Sequence, residues 1–349
     1  MPAARAQDPP PEPDSVVGLL PLVVTARNRE ELLQSVPLAV SAFSGRDLEL
    51  SQVGTTDRLG QIMPNVNFNH SGALAGTKSA AQFYIRGVGQ RDFLPVTDPG
   101  VAVYVDGIYM PRSVGAVMDL VDVERVEVLR GPQGTLFGRN AVGGAVSVHS
   151  RRPDAEARRS MRVQFGDDRM IKLTASANGA LRDGLFGSVA LALSKRDGYV
   201  TRTYDELDKG NDNGRAARGA IVWRPSATVE VFATADYSRR RENGAPTVNG
   251  GVNDKQAFGT FGNAALPGCT AIMINPNFPG MGPPTFPPPG QGAGGAEGCY
   301  GPNSFAGEYI SEGTFPAFDS LDSWGTGARV SWSLGGGVTL RSLTGYRGL

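Results

Sequence analysis

VERVEVLRGPQGTLFGRNAVGGAVSVHSRRP, running from Val123 to Pro153, contains two strands and the crossover between them. Its opening alternates Val123, Arg125 and Glu127 with Glu124, Val126 and Val128, the period of two expected of a β-strand. Gly131, Pro132, Gly134, Gly138, Gly143 and Gly144 interrupt it, and Ala145 to Ser150 makes a second strand. Glycine reaches positive φ at no cost and lets two backbones approach closely. A phosphate cradle also uses glycine, but no GxxxxGK[ST] spacing occurs in the chain. The nearest GxGxxG match, Gly87-Val88-Gly89-Gln90-Arg91-Asp92, lacks the third glycine. The crossover is therefore read as structural.

At 349 residues the chain suits two regions rather than one small domain. Charge balances at 34 Lys and Arg against 34 Asp and Glu, which argues against a nucleic-acid partner. No apolar run approaches the roughly 18 residues a helical membrane span requires. A β-barrel stays open, because its alternating strands keep mean hydropathy near that of a soluble protein. Cys269 and Cys299 share one Pro/Gly-rich segment. That placement fits a disulfide in an oxidising compartment better than structural zinc, which takes four ligands. His70 and His149 are the only histidines, each read as a surface or turn residue rather than a catalyst. No GxSxG or HExxH organises an active site, so an enzyme is not expected. Near the start, Ala4-Arg5-Ala6 has the small-x-small shape of a cleavage site and reads as the tail of a signal sequence.

Residues 1–21 are Pro-rich and acidic and are expected to be disordered. Leu22-Val23-Val24-Thr25-Ala26 follows as a short β-prone strip. On its residues alone it is either a strand offered to a partner's sheet edge or the first strand of the domain. Downstream, Val36 to Phe43 reads as a strand and Gly45-Arg46-Asp47-Leu48 opens a short helix. Thr55 or Thr56 is placed to cap a second helix through Ile62. Gln82 to Gly87 and Val101 to Gly107 are further strands that end in turn signals.

Four of these features, in order, resemble the plug domain of TonB-dependent outer-membrane receptors. They are the Leu22–Ala26 strip, the strand ending Ile85-Arg86-Gly87, the Tyr104-Val105-Asp106-Gly107 turn and the Val123–Pro153 motif. The resemblance implies a TonB box at Leu22, Val23, Val24, Thr25 and Ala26, with 22–34 as box and linker and 35–153 as an α+β plug. It also implies that Arg86 and Arg130 face carboxylates on the inner wall of a barrel and help to hold the plug. By their residues alone these arginines would be solvated strand ends.

After Pro153 the pattern becomes dyadic. Ile171, Leu173, Ala175 and Ala177 oppose Lys172, Thr174, Ser176 and Asn178. Leu185, Val189, Leu191 and Leu193 repeat the apolar face, and Val229 to Ser238 alternates with Phe232 as the exception. Ala328, Val330, Trp332 and Leu334 oppose Arg329, Ser331 and Ser333. Such segments form either a soluble sandwich with one solvated face or a transmembrane barrel. Following a plug motif, they read as an antiparallel transmembrane β-barrel. About seven strands are expected, near 160–166, 170–181, 184–197, 215–224, 227–240, 324–334 and 337–347. Plugged barrels have about 22 strands, so residues 154–349 are expected to be the first part of an incomplete barrel in an N-terminal fragment. Arg182-Asp183-Gly184 and Pro225-Ser226 are periplasmic turns in this reading. Residues 197–213 and 242–323 are outer loops, the second clipped by Cys269 and Cys299.

The resemblance implies active transport of a scarce ligand across the outer membrane of a Gram-negative bacterium. A TonB-type energy-transducing protein pulls the box, with the N-terminus in the periplasm and the plug in the barrel lumen. The commonest cargo of the family is a ferric siderophore; cobalamin, haem and oligosaccharides are the alternatives. A ligand-binding or signalling module without transport is the rival reading. No cofactor and no nucleic acid is expected, and lipid of the outer membrane surrounds the barrel. Ser71, Lys78, Arg91, Asp92, Phe93, Tyr109 and Arg112, on or beside loops between plug strands, are the candidate ligand contacts.

Overall fold

The computed structural model describes residues 22–25, 31–69, 78, 80–90, 97–116, 118–203, 205–246, 309–311 and 318–349. Ala26, His70, Ser71, Arg91, Asp92, Phe93, Cys269 and Cys299 lie outside the described residues. No described helix is long and apolar enough to cross a membrane, which says nothing about crossing by strands.

Ten short strands build the N-terminal half: β1 (Val23–Val24), β2 (Glu31–Leu32), β3 (Val40–Ser44), β4 (Val66–Asn69), β5 (Gln82–Ile85), β6 (Val88–Gly89), β7 (Val101–Val105), β8 (Ile108–Met110), β9 (Val123–Arg130) and β10 (Gly144–Ser150). The central sheet has the order β3-β9-β10-β7-β8, with β10 parallel to β7 and antiparallel to β9. The glycine crossover joins β9 to β10 and holds one short helix, α2 (Gly134–Phe137). Alternation on β9 and β10 divides the apolar residues between two layers. Val126, Val128, Val146 and Val148 face a core with Leu59, Phe83 and Ile85, whereas Leu129 and Ala145 face Val24, Val36 and Tyr104.

α1 (Gly45–Leu50) opens on a reciprocal capping box, in which the Asp47 N–H donates to Ser44 Oγ at 3.2 Å and the Ser44 N–H to Asp47 Oδ2 at 3.0 Å. The second expected helix is a 3-10 helix, Thr56–Gln61, with no side-chain cap. Thr56 spends its hydroxyl elsewhere, donating to Ala116 O at 2.8 Å and accepting from Met118 N at 3.0 Å. The β7–β8 turn has Asp106 at φ 51° and Gly107 at φ 87°, the two positive values a type I′ hairpin needs.

The C-terminal half is one antiparallel meander of seven strands: β11 (Arg158–Gly166), β12 (Met170–Arg182), β13 (Leu185–Arg196), then β16 (Asp212–Ser226), β17 (Val229–Glu242), β19 (Asp319–Gly335) and β20 (Val338–Gly348). All seven expected strands are present. β17 and β19 run past their expected ends to the Glu242–Asp319 pair, so the expected outer loop 242–323 starts and finishes within strand. The two outer connections also contain structure. β14 (Val200–Arg202) and β15 (Asp208–Lys209) pair with each other, and β18 (Ile310–Ser311) joins β14.

The wall has one apolar face and one mixed face. On β13, Leu191 is 48% exposed and faces away from the plug, whereas Ala190 beside it is 2% exposed. Phe232, the exception to alternation on β17, faces inward; it packs with Ala220 and Val222, and the Arg152 guanidinium lies 4.7 Å from its ring centroid. On the outward face Trp223 and Trp332 mark one level and Tyr237, Trp324 and Tyr346 another. Trp324 and Trp332 are eight residues apart on β19. That is about 27 Å along the strand and about 20 Å of membrane depth at a tilt near 40°. Aromatic rows flanking an apolar band of about this height are the girdles of a transmembrane barrel.

Candidate functional site

Leu22 to Thr25 lies folded against the plug. β1 pairs antiparallel with β2, matching Val23 to Leu32 and Val24 to Glu31, and Leu33 N donates to Leu22 O at 2.9 Å. Val24 is 0% exposed among Val36, Tyr104, Leu129 and Ala145, and Val23 is 39% exposed. The segment is therefore the first strand of the domain, and among the described residues its own sheet has two strands.

Thr25 ends this strand in a polar clamp that crosses 102 positions of sequence. Its backbone N–H donates to Glu127 Oε1 at 2.9 Å and its hydroxyl to the same oxygen at 3.2 Å. His149 Nε2 lies 3.3 Å from the Thr25 hydroxyl and 3.3 Å from Glu127 Oε1. Arg125 completes the clamp, donating from Nε to Glu127 Oε1 at 2.8 Å and from Nη2 to Thr25 Oγ1 at 3.3 Å. The Glu127 side chain is 1% exposed. Burial works to raise its pKa, but the hydrogen bond and charge of His149, the Thr25 N–H and Arg125 together hold it below the ordinary carboxylate range. His149 is thus a half-buried strand residue of the clamp, not a surface or turn residue. Sequence reasoning missed Glu127 and His149. The only local signal was a carboxylate on an otherwise valine-rich strand.

One residue along β10 from His149, at Ser150, the same sheet is fastened to the wall through Asp106. Asp106 accepts from Ser150 N at 2.8 Å and Ser150 Oγ at 2.9 Å, forms an ion pair with Arg218 of β16, and offers its backbone carbonyl to Arg329 of β19 at 3.0 Å. Arg240 of β17 meets Asp119 at 3.2 Å. Lys78 reaches Glu242 at 2.8 Å and the Asn211 carbonyl at 2.6 Å, and its backbone N–H donates to Asp319 at 2.6 Å. Apolar contact adds a socket. Gly327 and Gly345 are opposite one another in the wall, and a Cβ on either would fall 2.3 or 2.5 Å from Ile108 Cδ1.

These contacts differ from the expected fastening. Among the described residues Arg86 and Arg130 form no ion pair; Arg130 donates instead to the Pro64 carbonyl at 3.4 Å. Three of the pairs that form, Asp106–Arg218, Asp119–Arg240 and Glu49–Arg162, have the carboxylate on the plug and the arginine on the wall, whereas Arg152 of the plug meets Glu230 of the wall at 3.1 Å. Three candidate ligand residues are described. Lys78 is buried in its wall contacts. Tyr109 sits in the layer that carries Val24, accepting from Asn140 Nδ2 at 2.6 Å. Arg112 lines a recess of about 10 Å³ with Phe83, Gln90 and Met110, room for no more than a water. The structure brings no candidate ligand set together among the described residues.

Residues 32–145 match the family model for the TonB-dependent receptor plug domain. The chain carries the plug of a TonB-dependent receptor. The plug is followed by strands of the receptor barrel, which do not close here. The pesticin receptor of Yersinia enterocolitica serotype O:8 / biotype 1B is 30% identical over 204 residues, 52% of this chain and 28% of that protein. The vitamin B12 transporter BtuB of Vibrio vulnificus is 25% identical over 198 residues, 55% of this chain and 30% of that protein. The matched region therefore spans less than a third of these relatives. In fold, the ferric yersiniabactin uptake receptor FyuA from Yersinia pestis superposes with a TM-score of 0.65 at 20% identity, over 89% of this chain and 40% of that one. These relatives are transporters and receptors, and the chain belongs with them in the outer membrane of a Gram-negative cell.

Proposed function

We propose that the chain is the N-terminal part of an active transporter, driven by a TonB-type protein that grips Leu22–Ala26 and carrying a ferric siderophore. The state of the box supports this reading most. It is a two-residue strand with one buried apolar anchor, held by side-chain hydrogen bonds rather than within the main sheet. Such a strand can leave while β3, β9, β10, β7 and β8 stay paired. The clamp residues Glu127 and His149 lie on β9 and β10, and the β7–β8 turn of that sheet carries Asp106. A pull at Thr25 is thus applied to the sheet that fastens the plug to the wall.

The ferric yersiniabactin uptake receptor, whose fold the chain shares, supports an iron chelate as cargo; the vitamin B12 transporter, at 25% identity, supports cobalamin as the second reading. Within this reading Arg86 and Arg130 are further anchors to the barrel wall, and Ser71, Arg91, Asp92, Phe93 and Arg112 remain the ligand-facing set. Lys78 and Tyr109 leave that set, because their side chains are committed to the wall and to the box layer. Deleting residues 22–26 from the full-length receptor is expected to abolish uptake of a radiolabelled ferric siderophore while cells still bind it. Uptake at the wild-type rate refutes the coupling role.

A further inference from the structure

Four residues on four neighbouring strands of the wall share one inward row. Arg218 on β16 is directly opposite Asp236 on β17, Asp236 is opposite Gly325 on β19, and Gly325 is opposite Arg347 on β20. Opposite charges that face one another across a ladder attract, so the register favours an Arg218–Asp236 pair. Other pairs form instead. Arg218 turns to Asp106 of the plug, and its Nε is buried with no hydrogen-bond partner among the described residues. Arg347 reaches over β19 and takes both oxygens of Asp236 in a fork, Nη1 to Oδ1 at 3.1 Å and Nη2 to Oδ2 at 2.6 Å. Gly325 permits that reach, because a Cβ there would fall 2.5 Å from Arg347 Nη1 and 2.7 Å from its Cζ. None of the three charged side chains is more than 20% exposed.

When the β7–β8 hairpin withdraws, Asp106–Arg218 breaks, and each member has a second partner on its own side. Asp106 keeps the bonds it accepts from Ser150 N and Ser150 Oγ, both in the plug. Arg218 has Asp236 one strand away, with the Cβ spacing of about 4.5–5.5 Å that directly opposite residues have. A carboxylate offers about four lone-pair sites, enough for two guanidinium groups. Breaking a buried pair is costly mainly because it leaves a charge without a partner. Here neither charge is left so.

We propose that Asp236 is a standby partner for Arg218, held ready by Arg347, which lets plug and wall separate at the hairpin without stranding a buried charge. The hairpin also controls when the exchange occurs. Its Ile108 fills the space over Gly345, the inward residue next to Arg347 on β20. With that peg in place Arg347 stays on both Asp236 oxygens; once the peg leaves, Arg347 has room to shift and share them. Asp106 and Ile108 move together, so the second partner becomes available only as the first is lost. The inference rests on the contacts between plug and wall and not on transport.

The test uses the full-length receptor in planar bilayers, where urea at a fixed sub-denaturing concentration detaches the plug and opens a conducting channel. The opening rate is the readout. Arg347→Gln and Asp236→Asn both break the Asp236–Arg347 fork, but they act oppositely on the standby. Arg347→Gln leaves Asp236 wholly to Arg218 and is expected to open about tenfold faster, since a hydrogen bond to a charged group carries about that much. Asp236→Asn removes the standby and is expected to open about tenfold more slowly, by the same reasoning. A fork that only braces the wall would shift both rates in one direction. That result, or two unchanged rates, overturns the proposal. Heat-dependent gel migration reports whether each barrel is folded. If Asp236→Asn is not, Asp236→Asn/Arg347→Gln serves, since it removes both charges of the fork and is expected to be slowed to the same degree. Opening in urea needs neither cargo nor an energy-transducing partner, so a failed standby and a failed transport reading give different results.

Discussion

Thr25→Val keeps the shape of the side chain and the backbone N–H but removes the hydroxyl that meets Glu127, His149 and Arg125 at 3.2, 3.3 and 3.3 Å. A hydrogen bond to a charged group contributes about 1.5–3 kcal/mol, and Glu127 keeps its bond from the Thr25 N–H, so the loss belongs at the lower end of that range. Because about 1.4 kcal/mol is a tenfold change, the undocked population of the box is expected to rise roughly tenfold, and at most about a hundredfold. Hydrogen exchange reads this directly. The Thr25 N–H, bonded to Glu127, and the Leu33 N–H, bonded to Leu22 O, should exchange about tenfold faster in the variant. Amides of β9 and β10, which undocking leaves paired, should keep their rates. Unchanged exchange at both positions refutes the clamp; equal acceleration throughout the plug shows instead that the box is part of one cooperative unit.

Three further outcomes follow from the same contacts. Gly345→Ala places a Cβ 2.5, 2.7 and 2.8 Å from three Ile108 side-chain atoms; the overpacking should cost about 1–3 kcal/mol in the urea midpoint of the plug and vanish in an Ile108→Ala background. Asp106→Asn leaves Arg218 facing a neutral group in a pair whose side chains are 16% and 8% exposed; a loss of about 3–5 kcal/mol is expected, smaller when Arg218→Leu is added, and equal losses in single and double variants would count against the pair. The lowered pKa of Glu127 has a defined sign: docking is fully supported above the ordinary carboxylate value of 4.5 and lost as pH falls through the lower folded value. Exchange at Thr25 should therefore be insensitive to protonation of Glu127 between pH 5 and 7, after correction for intrinsic rates, and accelerate only in stronger acid.

The barrel wall was legible because alternation is a local property: the apolar residues of Met170 to Leu181 or Ala328 to Leu334 mark a strand without reference to any neighbour. The ends of β17 and β19 were not legible in the same way. Glu242 and Asp319 pair with each other at the ends of these strands, and each also meets Lys78 of the plug, a contact no local pattern announces. Thr56 read as a helix cap because a threonine before an acidic turn is a local signal, yet its hydroxyl goes to residues 116 and 118. The Leu22–Ala26 strip was legible as a β-prone segment, but its holder was not. Glu127 occupies a regular place in a strand pattern, and the partner that gives it a role lies 102 positions earlier. The Asp106 fastening was hidden for a related reason. Arg86 and Arg130 were visible as arginines before glycines, whereas Asp106 looked like an ordinary turn residue until the hairpin was set against Arg218.

The box clamp and the wall contacts of the plug differ in how much force they should withstand. At the clamp, burial of Val24 contributes about 1.5–3 kcal/mol, and the Thr25 contacts add a similar amount. At the wall, removing one partner from any of three largely buried charge pairs, Asp106–Arg218, Asp119–Arg240 and Lys78–Glu242, costs about 3–5 kcal/mol. Those pairs are spread over β16 and β17, with Asp106 also held by Arg329 of β19, so they are not opened one at a time by tension along a single strand. A pull that starts at Leu22 therefore undocks the box well before it moves the plug. In the transport reading proposed above, undocking is the exchangeable, partner-accessible step, and displacement of the plug requires work delivered afterwards through the segment that joins the box to β3. A variant that loosens only the clamp should capture the partner more readily without leaking solute through the barrel, whereas one that loosens Asp106 should leak without binding the partner better.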